Sequence, residues 1–163
     1  MKRTSFAQVN CSLAQTLEVI GDWWTLMIVR DAFFGTTRFE AFQQDLGIAR
    51  NILTQRLKHL VEQGVLERRP LAEGRRQCEY LLTEKGRDLL PVLLATTQWG
   101  DKWAPNRRGK RVVFVEAATG RPIATLAPRT ARGKPLRMEE IEPRAGPGAS
   151  PEAKARFSRY RPS

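Results

Sequence analysis

Histidine and cysteine are nearly missing from this chain of 163 residues: His59 is the one histidine, and Cys11 and Cys78 are the two cysteines. Two thiols cannot build a disulfide framework, and such usage points to the reducing cytosol, so a cytoplasmic protein is expected. A structural zinc needs four Cys or His ligands and the chain offers three such residues, so neither metal nor other cofactor is expected. The single histidine also argues against most acid–base hydrolytic chemistry. No nucleophile–base or paired-carboxylate constellation replaces it, and an enzyme is not expected. Long apolar runs are missing too. The longest, Leu89 to Ala95, is interrupted by Pro91 and falls far short of the ~20 residues of a membrane helix. No apolar core follows Met1-Lys2-Arg3, so no secretory signal is expected either. The remaining balance, 41% hydrophobic and 28% charged residues, is that of a soluble globular protein.

Acidic residues are scarce in one part only. Residues 1–104 hold 14 Lys and Arg against 12 Asp and Glu, whereas residues 105–163 hold 14 against 5, so the back end carries +9 of the formal +11. Such a segment suits a polyanionic partner, nucleic acid before an anionic membrane surface. A merely solubilising tail is the alternative.

The front has helical periodicity. Leu13, Leu17 and Ile20 share a face from Cys11 to Ile20, and Gly21 can stop that helix. From Trp23 to Phe34 the run is denser: Trp23, Leu26, Met27, Arg30 and Phe34 share one face, predicting a largely buried helix ended by Gly35. Thr37-Arg38-Phe39-Glu40 has the form of a capping box, followed by a short helix through Phe42 and Leu46 that closes at Gly47. The next helix runs from near Ala49 to Gln63. Leu53, Leu57, Leu60 and Val61 make its apolar stripe, and Arg50, Asn51, Thr54, Gln55 and Lys58 lie mainly opposite. Two short helices around a glycine-containing turn are the helix-turn-helix pattern, although a generic amphipathic pair looks alike. Val65 to Arg69 reads as a strand, Ala72 to Arg75 as a turn and Cys78 to Leu82 as a returning strand. A basic hairpin directly after such a pair is the layout of a winged helix. Thr83 then caps a long helix through Leu89, Leu90, Leu93, Leu94, Trp99 and Trp103, which Pro91 should kink.

Composition changes beyond Pro105. Val112-Val113-Phe114-Val115 is strand-like, and Gly120-Arg121-Pro122-Ile123 is echoed thirteen residues later by Gly133-Lys134-Pro135-Leu136. The reading is α+β: a mainly helical winged helix-turn-helix domain over 1–104, a small β-rich appendage over 105–142, and a disordered basic tail over 143–163.

Several of these pieces resemble the HxlR-type transcriptional regulators, bacterial and archaeal winged helix-turn-helix proteins. They are Cys11-Ser12-Leu13, Ile20-Gly21-Asp22-Trp23-Trp24-Thr25-Leu26, Arg38-Phe39, Gly47-Ile48, Leu53-Thr54-Gln55-Arg56-Leu57 and Gly64-Val65-Leu66-Glu67-Arg68. Tyr80-Leu81-Leu82-Thr83-Glu84-Lys85-Gly86 and Trp99-Gly100 complete an ordered set over residues 11–104. The resemblance implies a cytoplasmic homodimer that binds double-stranded DNA through the helix at 49–63 and its wing. It also implies dimer contacts from the first and last helices, here Leu13, Leu17, Leu93, Trp99 and Trp103. Some relatives use a cysteine at the place of Cys11 to sense oxidants or electrophiles, which makes Cys11 a candidate redox sensor beside the reading of an inert thiol. Two departures stand out. The family usually has Ser or Thr where this chain has Ala49. The appendage is similar to a zinc-ribbon-like tail with two cysteine-bearing knuckles around Gly120 and Gly133, and here neither knuckle has a cysteine.

The DNA-contacting candidates are therefore Arg50, Asn51, Thr54, Gln55 and Lys58 on the second helix, with Arg69, Arg75 and Arg76 among the wing arginines. Arg suits guanine and Asn or Gln suits adenine in the major groove, whereas wing arginines suit phosphate or the minor groove. Arg56 has an intradomain ion pair as its alternative. The four tryptophans fit core or dimer interface better than an effector pocket, and His59 reads as an ordinary helix residue. The expected function is a sequence-specific transcriptional regulator, with an oxidant or small molecule as candidate effector. A winged-helix protein-interaction module that does not read bases is the alternative.

Overall fold

The computed structural model describes residues 5–71 and 77–159. They form α1 (Ser12–Ile20), α2 (Trp23–Phe33), α3 (Phe39–Leu46), α4 (Arg50–Glu62), β1 (Leu66–Pro70), β2 (Cys78–Leu82), α5 (Glu84–Arg87), α6 (Leu90–Trp103) and α7 (Pro151–Phe157), with a 3-10 turn at Met138–Glu140. The chain divides into two compact units between Leu90 and Pro91, whereas its composition changes at Pro105.

The first unit is built around α2, which touches α1, α3, α4 and β2. Asp22 caps its start by accepting the Trp24 N–H at 3.0 Å. Ile28 and Val29 of α2, Phe42 of α3, Leu53, Leu57 and Leu60 of α4, and Val65 and Leu66 at the root of the hairpin are buried together. Burying each such side chain stabilises the fold by about 1.5–3 kcal/mol relative to exposure. Of the apolar stripe expected on α4, Leu53, Leu57 and Leu60 are buried and Val61 is half-buried. The face expected to be buried on α2 is not. Trp23 and Phe34 are 76% and 57% exposed and Met27 is exposed too, while Thr25, Ile28, Val29 and Asp31 are buried. Helix axes pack only 8–10 Å apart, and the smaller Thr25, Ile28 and Val29 suit that separation where a tryptophan face does not.

β1 and β2 pair antiparallel, with Leu66 opposite Leu82 and Pro70 opposite Cys78; the turn expected at Ala72 to Arg75 lies outside the described residues. The capping box expected at Thr37 does not form. The Thr37 carbonyl accepts the Tyr80 N–H at 2.8 Å and Arg38 makes a bridge to Glu79. The hairpin thus holds this segment extended, and α3 starts one residue later, after Arg38, without a side-chain cap.

Thr83 closes the unit. Its Oγ1 accepts the Gly86 N–H at 3.1 Å and donates to the Gly64 carbonyl at 2.6 Å, and Lys85 Nζ donates to the Gln63 carbonyl at 2.7 Å. The long kinked helix expected after Thr83 is instead two helices separated at Asp88 and Leu89. Pro91 falls in the first turn of α6, where its missing N–H would have had no helical partner anyway. The proline starts a helix rather than bending one.

In the second unit two similar turns follow α6. The Ile123 N–H donates to the Phe114 carbonyl at 3.0 Å and the Leu136 N–H to the Pro128 carbonyl at 2.9 Å. Gly120 and Gly133 turn both loops with φ of 68° and 82°, a region that favours glycine. Among the described residues the β character of 105–142 is confined to the bridges Val115–Pro122 and Arg129–Pro135. Within the stretch expected to be disordered, Pro151–Phe157 forms α7, capped by Ser150 Oγ accepting the Ala153 N–H at 3.2 Å.

Candidate nucleic-acid interface

α3, the turn at 47–49 and α4 form the helix-turn-helix, and Gly47 makes the turn with φ of 60°. Because Leu53, Leu57 and Leu60 anchor one side of α4, helical periodicity sends Arg50, Asn51, Thr54, Gln55 and Lys58 outward, and all five are exposed. They are not equally free. The Thr54 hydroxyl donates to the Arg50 carbonyl at 2.8 Å, so its methyl and lone pairs remain for a partner. The Arg50 guanidinium lies 4.7 Å from the Phe39 ring centroid. Lys58 Nζ is 3.7 Å from Glu62, an exposed pair worth a few tenths of a kcal/mol at about one turn's spacing. Arg56 faces the other way and pairs with Asp22 at 2.9 Å.

Ala49 precedes α4 without any side-chain cap. The wing lies on from α4 through Gln63 and Gly64. Arg69 is exposed and paired with Glu67 at 2.6 Å; Arg75 and Arg76 lie outside the described residues. Arg68 Nε donates to Cys78 Sγ at 2.9 Å, and that hydrogen bond is the first cause of a pKa above the ordinary arginine value. Burial pushes the neighbouring Tyr80 phenol up, with Cys78 adding to the effect and Arg68 opposing it, so the phenol stays neutral near pH 7.

His59 Nε2 donates to the Val19 carbonyl at 3.0 Å, tying α4 to α1. Cys11 is half-buried at the position before α1. Leu13 and Leu17 on α1 are 66% and 38% exposed, and Trp99 and Trp103 on α6 are 65% and 63% exposed; Leu93 is half-buried. Among the described residues no cluster of three or more His, Cys, Asp or Glu could hold a metal. The two knuckles do not fit zinc: Thr119 donates to Glu116 at 2.5 Å in the first, Arg129 donates to the Gly133 carbonyl at 2.8 Å in the second, and neither loop has a thiol or imidazole. No described helix is long and apolar enough to cross a membrane.

The exposed α2 face and the position of Arg38 beside the wing were missed in the sequence. Ile28 and Val29 mark the true core face of α2, but the larger tryptophan and phenylalanine outweigh them in any hydrophobicity count. Arg38 has no distinguishing local signal, because its neighbours come from a hairpin forty residues away.

Residues 19–108 match the model of the HxlR-like helix-turn-helix family. The chain is 36% identical over 137 residues to an uncharacterised HTH-type transcriptional regulator of Mycobacterium tuberculosis (strain ATCC 25618 / H37Rv), covering 84% of this chain and 87% of the relative. It is also similar to the crystal structure of PA1607, a proposed transcription factor, with a TM-score of 0.78 and 46% identity over 85% of this chain and 97% of that one. The reduced form of the redox regulator HypR is similar at a TM-score of 0.53 and 31% identity, over 56% of this chain and 92% of that one. With its helix-turn-helix, its wing and a family match over more than half its length, this chain belongs to the HxlR-like helix-turn-helix family of transcriptional regulators.

Proposed function

We propose that this protein is a homodimeric, cytoplasmic regulator that binds double-stranded DNA at a two-fold-symmetric sequence. The carrying observation is the polar outer face of α4, held outward by Leu53, Leu57 and Leu60 on a helix adjoining a basic hairpin. Asn51 and Gln55 supply paired donors and acceptors suited to adenine, and Lys58 suits guanine or phosphate. Arg69, Arg75 and Arg76 supply sequence-independent contacts from the wing. In this reading residues 1–104 bind DNA and dimerise, with 105–142 as an appendage and 143–163 as a basic tail. Half-sites would lie one helical turn apart or a multiple of it.

Fragments selected from genomic DNA, followed by titration on the selected and scrambled duplexes, test this. Asn51→Ala should cost about 1–3 kcal/mol on the selected duplex and little on the scrambled one. Equal binding of the wild type to both duplexes favours a protein-interaction module instead. Cys11 is the proposed oxidant sensor, supported by likeness to a redox regulator and by its half-buried thiol next to α1. Mild oxidant should change DNA release in the wild type but not in Cys11→Ser; an unaltered response in the variant rejects the role.

A further inference from the structure

A cavity of about 400 Å³ lies where the start of α3, the start of α4 and the wing meet. Three arginines from three separate segments line it: Arg38 just before α3, Arg50 at the first position of α4, and Arg68 in β1. Each has a neighbour that orients it, and for Arg50 and Arg68 that neighbour carries no opposing carboxylate charge. Arg50 stacks over Phe39. Arg68 is aimed by Cys78 Sγ. Arg38 is held by an ion pair with Glu79 at 3.6 Å. Glu40 is the one carboxylate among the lining residues, and among the described residues neither Arg50 nor Arg68 has a carboxylate at ion-pair distance. Three guanidiniums around one space repel one another, and an anion entering that space relieves the repulsion. The planar fork of arginine matches the oxygens of a phosphate in particular.

Resting on the DNA-binding reading above, we infer that this cavity seats one backbone phosphate of the duplex, clamped by Arg38, Arg50 and Arg68. Its flanks are the outward face of α4 and the wing, the two elements assigned to DNA, and Arg50 and Arg68 are both exposed. A single clamp touching helix and hairpin together fixes the register of α4 in the groove, since phosphate contacts position a reading element without carrying sequence. Arg50 then acts on the backbone rather than on a base edge.

The sharing of one phosphate has a measurable consequence. Salt titrations of the full-length wild type, Arg50→Ala, Arg68→Ala and the double variant on selected and scrambled duplexes read it directly. Each single change should weaken binding severalfold on both duplexes and leave the log–log salt slope almost unchanged, because the remaining arginines still neutralise the phosphate. The double variant leaves Arg38 alone on the phosphate and should lose at most about 1, because all three side chains serve the same phosphate. Arg68→Lys keeps charge without the fork, and should keep the slope while weakening binding severalfold. Thermal melts matching the wild type exclude unfolding as the cause. Affinity unchanged in both single variants, or a slope loss of about 1 in each that adds to about 2 in the double, overturns the shared clamp while DNA binding stands. A wild type that binds neither duplex overturns the DNA-binding reading itself, and the clamp with it.

Discussion

Gly86 shows how a single residue can be fixed by distant backbone. A Cβ there would sit 2.2 Å from the Val65 carbonyl oxygen, because Thr83 and Lys85 draw α5 onto the turn that leads from α4 into β1. That carbonyl is backbone and cannot swing away as the nearby Leu82 side chain can. Gly86→Ala should therefore destabilise the protein by about 1–3 kcal/mol, the usual scale of overpacking, seen as a lower urea midpoint. A midpoint equal to that of the wild type would mean that the α5 contact relaxes freely. Asn51 is the opposite case: exposed on α4, it should affect DNA discrimination and leave the melting temperature almost unchanged.

At the scale of elements, α4 carries an uncorrected weakness at its start. Ala49 already has the extended backbone of a cap residue, with φ of −62° and ψ of 137°, yet offers no acceptor to the first-turn N–H groups. Ala49→Ser should add about 0.5–2 kcal/mol by supplying one, measured by equilibrium unfolding without DNA. No gain would place the free N–H groups in adequate contact with water. The elements themselves were largely legible in the sequence, since Leu53, Leu57 and Leu60 mark the core side of α4 and hence the outward face. α2 was not, because hydropathy ranks Trp23 and Phe34 above Ile28 and Val29, while helix packing decides by shape. The start of α3 was misread for a related reason: pairing with β2 overrides a local cap at Thr37.

At the scale of the whole molecule, apolar exposure and charge both point outward. Trp99 and Trp103 lie four residues apart on α6 and are each more than three-fifths exposed. Apolar surface of that kind marks association sites, and tryptophan anchors commonly contribute at least 2 kcal/mol to an interface. The double variant Trp99→Ser, Trp103→Ser should raise the dissociation constant of the proposed dimer at least about thirtyfold by analytical ultracentrifugation. Unchanged sedimentation would remove α6 from the interface. The basic tail makes a separate prediction. Residues 143–163 contain Arg144, Lys154, Arg156, Arg159 and Arg161 against Glu152 alone. Truncation after Glu142 should weaken non-specific DNA binding and flatten the salt slope by about 0.9 per phosphate released, with sequence preference intact. Coincident slopes would show that the tail does not touch DNA.

The sequence by itself determined the local units: where α4 begins and ends, which of its sides faces the core, the hairpin that follows, and the split between a balanced front and a basic back. These depend on periodicity, glycine positions and charge, which act between near neighbours. Only the tertiary structure decided which side of α2 is buried, that α3 starts after Arg38, and that Pro91 opens a separate helix. It alone brought Arg38, Arg50 and Arg68 around one cavity. Those outcomes depend on contacts between segments far apart in the chain, where packing shape and backbone pairing outweigh the preferences of any single stretch.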